Sequence, residues 1–211
     1  TMTASSRLFI ARHGETVFNA AARLQGDHPH TPLTRDGFAQ ADEMGAMLSH
    51  RLGPNPDMTL WSSSAGRALP TLAIMAEHLG LDWHQATHDD RLVEIGMGSW
   101  GGRYYADVVA EYGPEVETDT RLLKPAPDGE SYADIAARVS DWYAEHGTTP
   151  GDKLVIMHGI SSRVLRGVLL GLDPLPNHGV PVAPGLPQGS LVMIEDGVET
   201  LIMEGDGGER A

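Results

Sequence analysis

Two stretches decide the fold: Leu8-Phe9-Ile10-Ala11-Arg12-His13-Gly14 and, far along the chain, Leu154-Val155-Ile156-Met157-His158-Gly159. Each is a short apolar run that ends in His-Gly and leads into helix-compatible sequence. Such runs are too short for buried helices and read as interior strands. Between them, Phe38, Ala41, Gly45, Leu48 and Leu52 recur at helical spacing, with Thr34 as N-cap and Gly53-Pro54 as the stop. Met58 to Trp61 reads as a third strand. Ser62 to Ser64 are expected to cap a helix from about Arg67 to Leu79 that Gly80 closes, with Pro70 confined to its first turn.

Trp83 to Ala86 reads as a further short strand, and the glycine-rich Ile95 to Gly102 as a loop. Tyr104 to Tyr112 and Ser131 to His146 carry helical stripes, the second ending at Gly147. Asp173 to Pro187 is rich in proline and is expected to be an exposed loop. Ser190 to Glu195 and Val198 to Met203, joined by Asp196-Gly197, form a hairpin, because Asp-Gly favours the turn whose twist suits paired strands. Strands alternating with helices predict an α/β fold, a three-layer sandwich whose mostly parallel central sheet has helices on both faces and an antiparallel edge hairpin. One domain is expected over residues 1–211, with 97–130 as a lid or insertion and 205–211 as a disordered tail.

Composition narrows the function. Across 211 residues, Asp and Glu number 29 against 15 Lys and Arg, a formal charge of -14. That charge opposes approach to nucleic acid or an anionic membrane surface. No apolar run approaches the ~18 residues of a membrane span, and the polar Thr1 to Ser6 does not read as a signal peptide. A cytoplasmic location is the default expectation. The chain has no cysteine, which excludes thiol nucleophiles, iron–sulfur clusters and zinc fingers.

In an open parallel sheet, ligands collect beyond the carboxyl ends of the strands, where the winding reverses. Both His-Gly pairs stand at such ends. If the two strands are neighbours, His13 and His158 face one pocket, with Arg12 beside one and Arg67 arriving from the third strand's helix. Guanidinium groups suit a tetrahedral oxyanion. One neutral imidazole would attack phosphorus while a second, protonated, would stabilise the transferring group. His84 and His88 have a metal-compatible i, i+4 spacing, but their segment reads as a strand, so no metal and no other cofactor is expected. Gly159-Ile160-Ser161-Ser162-Arg163 is not a serine-hydrolase elbow, because Arg163 stands at the second glycine's place. His28 and His30 are placed at a loop near the pocket mouth.

Arg12-His13-Gly14-Glu15-Thr16 followed by Asn19 resembles the signature of the histidine phosphatase superfamily, the phosphoglycerate mutase-like proteins. The likeness continues through Arg23-Leu24-Gln25-Gly26, Pro32-Leu33-Thr34, Ser62-Ser63-Ser64 with Arg67-Ala68, Arg91-Leu92 with Glu94, Asp128-Gly129-Glu130-Ser131 and His158-Gly159. The resemblance implies His13 as the phosphorylated nucleophile, Arg12, Arg67 and His158 as the rest of the phosphate pocket, and Glu94 as proton donor. It further implies phosphate contacts from Asn19, the main-chain amide of Gln188 and, less centrally, Arg23. The expected partners are a small phosphorylated metabolite and inorganic phosphate.

Two departures shape the reading. Trp100-Gly101-Gly102 stands where many relatives have Trp-Glu-Gly, and Ile95-Gly96-Met97 follows Glu94 where mutases carry Arg-His-Tyr to hold the phosphoglycerate carboxylate. The resemblance therefore implies a phosphatase acting on small phosphomonoesters. A cofactor-dependent mutase is the alternative and a non-catalytic phospho-ligand binding module a third reading.

Overall fold

The computed structural model describes residues 6–211; of the polar opening stretch, residues 1–5 lie outside the described residues. Six strands form one sheet: β1 (Leu8–Arg12), β2 (Met58–Ser63), β3 (Thr87–Asp89), β4 (Asp152–Met157), β5 (Leu191–Glu195) and β6 (Val198–Met203), in the order β3-β2-β4-β1-β5-β6. The first four run parallel, whereas β5 is antiparallel to β1 and β6 to β5. The helices are α1 (Val17–Ala20), α2 (Arg35–Leu52), α3 (Ala68–Leu79), α4 (Tyr105–Tyr112), α5 (Tyr132–Trp142) and α6 (Gly159–Leu169).

Strand residues alternate between the two faces. Phe9, Ala11, Leu154 and Ile156 pack with Met44 and Leu48 of α2 and with Leu72 and Met75 of α3. Leu8, Ile10, Val155 and Met157 pack with Ile135 and Val139 of α5 and with Ile160 and Val164 of α6. Both faces of the sheet are thereby covered, which is why β1 and β4 read as continuous apolar runs. Residues 97–130 add Trp100, Val108, Val116 and Leu122 to the α5–α6 side.

Helix ends follow their capping residues. The Thr34 hydroxyl accepts from the Gly37 amide at the start of α2, and Gly80 closes α3 at φ 71°. Pro70 lies in the first turn of α3. Beyond Trp142, α5 widens into a π-type turn over Tyr143–Gly147.

Four local expectations are corrected. Ser62 and Ser63 belong to β2, and α3 starts from Arg67 with no side-chain cap; the Ser63 hydroxyl instead accepts from the Ala65 amide within the turn. Trp83–Gln85 is a 3-10 turn and the strand falls at Thr87–Asp89, because Asp82 caps the turn by accepting from the His84 amide. In the proline-rich loop, Val180, Val182 and Ala183 are buried. Residues 205–211 have no regular secondary structure but are not a disordered tail: the Gly205 amide donates to Ser190 Oγ and the Gly207 amide to the Gln188 carbonyl.

Candidate active site

The register of β1 against β4 builds the centre of the site. Arg12 pairs with Met157, and the next amide, from His13, donates to the Met157 carbonyl at 3.1 Å. The residues that follow the two strands, His13 and His158, are therefore level, and their ring centroids lie 5.1 Å apart. Arg67 reaches them from the β2–α3 connection. Its Nε donates to both His13 Nε2 and His158 Nδ1, each at 3.2 Å.

These contacts define the protons. His13 Nδ1 lies 2.7 Å from the Gly14 carbonyl, an acceptor, so Nδ1 carries the hydrogen and Nε2 presents a lone pair. His158 accepts at Nδ1, so its neutral ring carries hydrogen on Nε2, a buried atom with no hydrogen-bond partner. Burial, reinforced by Arg67 and Arg12, holds His13 well below its usual 6.5; burial, Arg67 and His13 do the same for His158. The expected division into one neutral and one protonated imidazole is thus not found. Both are neutral, because taking either charge into this buried, already cationic centre is unfavourable.

Arg67 is fully buried, and its remaining donors face inward: Nη1 donates to the His28 carbonyl and to Thr31 Oγ1, each at 3.1 Å, and Nη2 to the Gly26 carbonyl. It therefore locks the 26–31 loop over the site. The His28 ring lies against Phe18 at a tilted angle, centroids 5.4 Å apart, with both His28 and His30 exposed. Arg12 does not contact either imidazole in this way. Its guanidinium donates to the carbonyls of Leu186, Gly208, Glu209 and Arg210. Burial pushes both arginines down to about 10, and the Glu94 charge opposes that shift in each, so both remain cationic at neutral pH.

Glu94 is buried against the first turn of α6, directly after His158. Oε1 accepts from the Ile95 and Ser161 amides at 2.9 and 2.8 Å, and Oε2 from the Ile160 amide at 2.8 Å. The orphan amides of the helix's first turn thereby fix the position of the carboxyl group. Asn19 closes a capping box with Thr16, its Oδ1 accepting from the Thr16 amide and hydroxyl. Arg23 donates through Nε and Nη2 to the Gly102 carbonyl, its guanidinium lying over Phe18 and Tyr104. Asn19, Arg23 and Gln188 share a crevice of about 60 Å³ with Glu15, Gly208 and Arg210. His84 and His88 are not brought together as ligands: His88 Nδ1 pairs with Ser62 Oγ, and among the described residues no group of three His, Cys, Asp or Glu side chains could hold a metal.

Sequence reasoning missed three contributors. Thr71 Oγ1 accepts from the Gly14 amide and donates to the Arg67 carbonyl, tying the signature loop to α3. Thr31 shares Arg67. Arg138 donates to the Arg91, Val93 and Glu94 carbonyls and pairs with Glu130, which fixes the turn that carries Glu94. A roomier cavity, about 300 Å³, opens at the opposite ends of the strands beside Arg7 and Lys153. It contains neither histidine, and Lys153 Nζ is bonded to the Thr149 and Gly151 carbonyls.

The model of the histidine phosphatase superfamily, branch 1, matches residues 8–195, a span that contains the whole cluster. The chain belongs to the histidine phosphatase superfamily. Among its superfamily relatives is a Citrobacter koseri protein named "Probable phosphoglycerate mutase GpmB", 34% identical over 177 residues, which cover 79% of this chain and 75% of that protein. A Caenorhabditis elegans 6-phosphofructo-2-kinase/fructose-2,6-bisphosphatase is 31% identical over 77% of this chain but only 33% of its own length. The mycobacterial glucosyl-3-phosphoglycerate phosphatase solved in complex with VO3 superposes with a TM-score of 0.72 at 26% identity, covering 98% of this chain and all of that one. The superfamily thus includes phosphatases and mutases on this one fold. Among the described residues, no helix is long and apolar enough to cross a membrane.

Proposed function

We propose that this superfamily member is a phosphomonoesterase that works through phosphohistidine on His13. The observation that carries the reading is the bifurcated bridge: one Arg67 N–H, 3.2 Å from each imidazole, orients the His13 lone pair beside the unpartnered N–H of His158. A nucleophile whose lone pair is aimed by the Arg67 N–H, a neutral donor and a fixed cation meet at the ends of β1 and β4. In the first step His13 Nε2 bonds to phosphorus as the ester P–O bond breaks, and the departing alkoxide takes a proton from Glu94. In the second, water bonds to phosphorus as the N–P bond breaks, and the water's proton passes to Glu94. Oε2 of Glu94 receives a single amide, which leaves that oxygen a lone pair with which to hold the proton. Arg67 and His158 stabilise charge on the transferring group without reorganisation.

Residues 97–130 are read as a lid and specificity insertion, and the substrate as a small phosphorylated metabolite in a single-domain enzyme. The mutase reading is favoured by the name of the Citrobacter koseri relative. Against it, Ile95 and Met97 are buried apolar residues of the core, so no cation stands where a retained phosphoglycerate carboxylate would need one. With nothing to hold the intermediate, water is the acceptor.

The test is a quench of the enzyme with 32P-labelled phosphomonoester, with and without chelator. The expected label is acid-labile and alkali-stable, absent from His13→Ala, and insensitive to chelator. An acid-stable label, or turnover retained by His13→Ala, overturns the assignment. With 3-phosphoglycerate and catalytic bisphosphoglycerate, release of inorganic phosphate without isomer formation excludes the mutase.

A further inference from the structure

Two of the donors expected to hold phosphate are already occupied by the protein itself. Three carbonyls of the segment 205–211, from Gly208, Glu209 and Arg210, surround the Arg12 guanidinium, and the Gly208 carbonyl also accepts from the Gln188 main-chain amide at 3.0 Å. Carbonyl oxygens from one short stretch thus stand where phosphoryl oxygens would be received. The crevice left beside them, about 60 Å³, is well under the roughly 300 Å³ at which ligand pockets begin.

The segment is held there by a latch on the 97–130 insertion. Arg210 Nε pairs with Glu117 Oε2 at 3.0 Å, and its guanidinium lies 3.9 Å above the Tyr105 ring. The Glu117 side chain is only 5% exposed and is shared with Arg121. The carboxylate end of the pair is withdrawn from water while the Arg210 side chain is 36% exposed, so the latch is only partly shielded from salt.

The seating is incomplete. The Arg12 Nε–H donor stays buried without a partner. A buried donor left unmatched favours any ligand that matches it. Neutral carbonyls are also weaker acceptors for a guanidinium than a charged phosphoryl group, whose hydrogen bonds are roughly twice as strong.

From these observations we infer that residues 205–211 are an autoinhibitory strap, an internal ligand of the phosphate donors that Arg210 latches to Glu117 and that a phosphate dianion displaces. The inference rests on the proposed phosphate pocket but not on the chemistry at His13. When the strap leaves, Arg12 and Gln188 are handed to the anion and the insertion loses its tie, so entry of the anion and opening of the mouth are one event. Neutral or singly charged oxygen ligands, which compete poorly for Arg12, stay excluded.

The test uses inorganic phosphate as the probe, with binding measured by calorimetry and strap protection by amide hydrogen exchange. In the free wild-type protein the Gly205 and Gly207 amides are expected to be protected, and saturation with phosphate to abolish that protection. Arg210→Ala and a chain stopped after Glu204 are expected to bind phosphate about 10-fold more tightly, and Arg210→Lys, which keeps the charge, to fall between. Glu117→Gln, which leaves the strap's own residues untouched, should behave like Arg210→Ala. Phosphate binding with strap protection unchanged overturns the inference, and so do equal affinities across the series or no phosphate binding in the chain lacking the strap. If the strap is displaced as expected but p-nitrophenyl phosphate is not turned over even without it, the phosphatase reading fails and the strap stands.

Discussion

Arg67 Nε is equidistant, at 3.2 Å, from His13 Nε2 and His158 Nδ1, so a single N–H from the β2–α3 connection sets the orientation of both rings. Because Nη1 and Nη2 are spent on Gly26, His28 and Thr31, that N–H cannot swing away without releasing the 26–31 loop. The arginine is a keystone for geometry first and a source of charge second.

Arg67→Lys is therefore expected to behave almost as badly as Arg67→Ala. A lysine has one ammonium and cannot reach both imidazoles and three loop acceptors from fixed positions. Steady-state kinetics should show turnover reduced by about 10²–10³-fold in each, the scale for losing one preorganised donor. Urea titration should show a destabilisation of about 1–3 kcal/mol for Arg67→Ala, as hydrogen-bond acceptors are stranded in the interior. A lysine variant with near wild-type turnover would contradict the keystone role.

The two histidines also make stability depend on pH. Both are held well below 6.5 in the folded protein, chiefly by burial. As pH falls through 6.5 the unfolded chain takes up these protons before the folded one, so stability is present above that pH and drains away below it. With two groups the slope approaches about 2.7 kcal/mol per pH unit. Denaturant midpoints should be flat from pH 7 to 8 and fall towards pH 5. In His13→Gln/His158→Gln, that fall should be much shallower.

Glu94→Gln tests the seat on α6. Each carboxylate oxygen accepts an amide of Ile160 or Ser161, so whichever way the new carboxamide turns, its NH2 faces a backbone N–H. Two donors in contact strand one another, which should destabilise the fold by about 1–3 kcal/mol. Loss of the proton carrier should lower turnover by about 10²–10⁴-fold. If stability falls and turnover does not, Glu94 is a helix anchor rather than the acid.

How much of this was legible beforehand follows from what kind of interaction is involved. The run lengths before His13 and His158 and the stripe from Phe38 to Leu52 announce strands and a helix, since burial of both sheet faces or one helix face leaves its period in the residues. The parallel pairing of β1 with β4 is what turns two His-Gly ends into one site, and the family likeness pointed to it. Ser62 to Ser64 misled, because serine satisfies a turn as readily as a helix cap. Thr31 left no trace, and Thr71 belongs to the family-like block after Ser62 to Ser64 without any sign of its bond to Gly14, because the partners of both lie far along the chain. The strap was invisible for a different reason: it acts through main-chain carbonyls, which every residue carries, so Gly205 to Ala211 reads as a polar tail.

Close approach of backbones predicts the effect of a methyl group in the signature loop. A Cβ on Gly14 would lie 2.2 Å from the Gly37 carbonyl oxygen, at the start of α2. Backbone cannot yield as a flexible side chain would, so α2 must shift against the loop. Gly14→Ala should cost at least about 1–3 kcal/mol, and its turnover should fall because the Gly14 carbonyl fixes the His13 tautomer. A stable, fully active alanine variant would show that the loop is looser than its contacts imply.

Arg138 offers the clearest case of a positioning residue. It touches neither imidazole, yet its guanidinium gathers the Arg91, Val93 and Glu94 carbonyls and pairs with Glu130. In Arg138→Met the turn keeps its apolar packing through Leu92 and Ile95 but loses the clamp on the Glu94 main chain. Small misplacement of a proton carrier raises the barrier without weakening ground-state binding. Turnover of p-nitrophenyl phosphate should therefore fall by about 10-fold at nearly constant KM, and the affinity for inorganic phosphate should not change. Arg138→Lys, with one cation for three carbonyls, should recover only part of the loss. A change in KM or in phosphate affinity equal to the change in kcat would mean that Arg138 supports the pocket as a whole and not the acid.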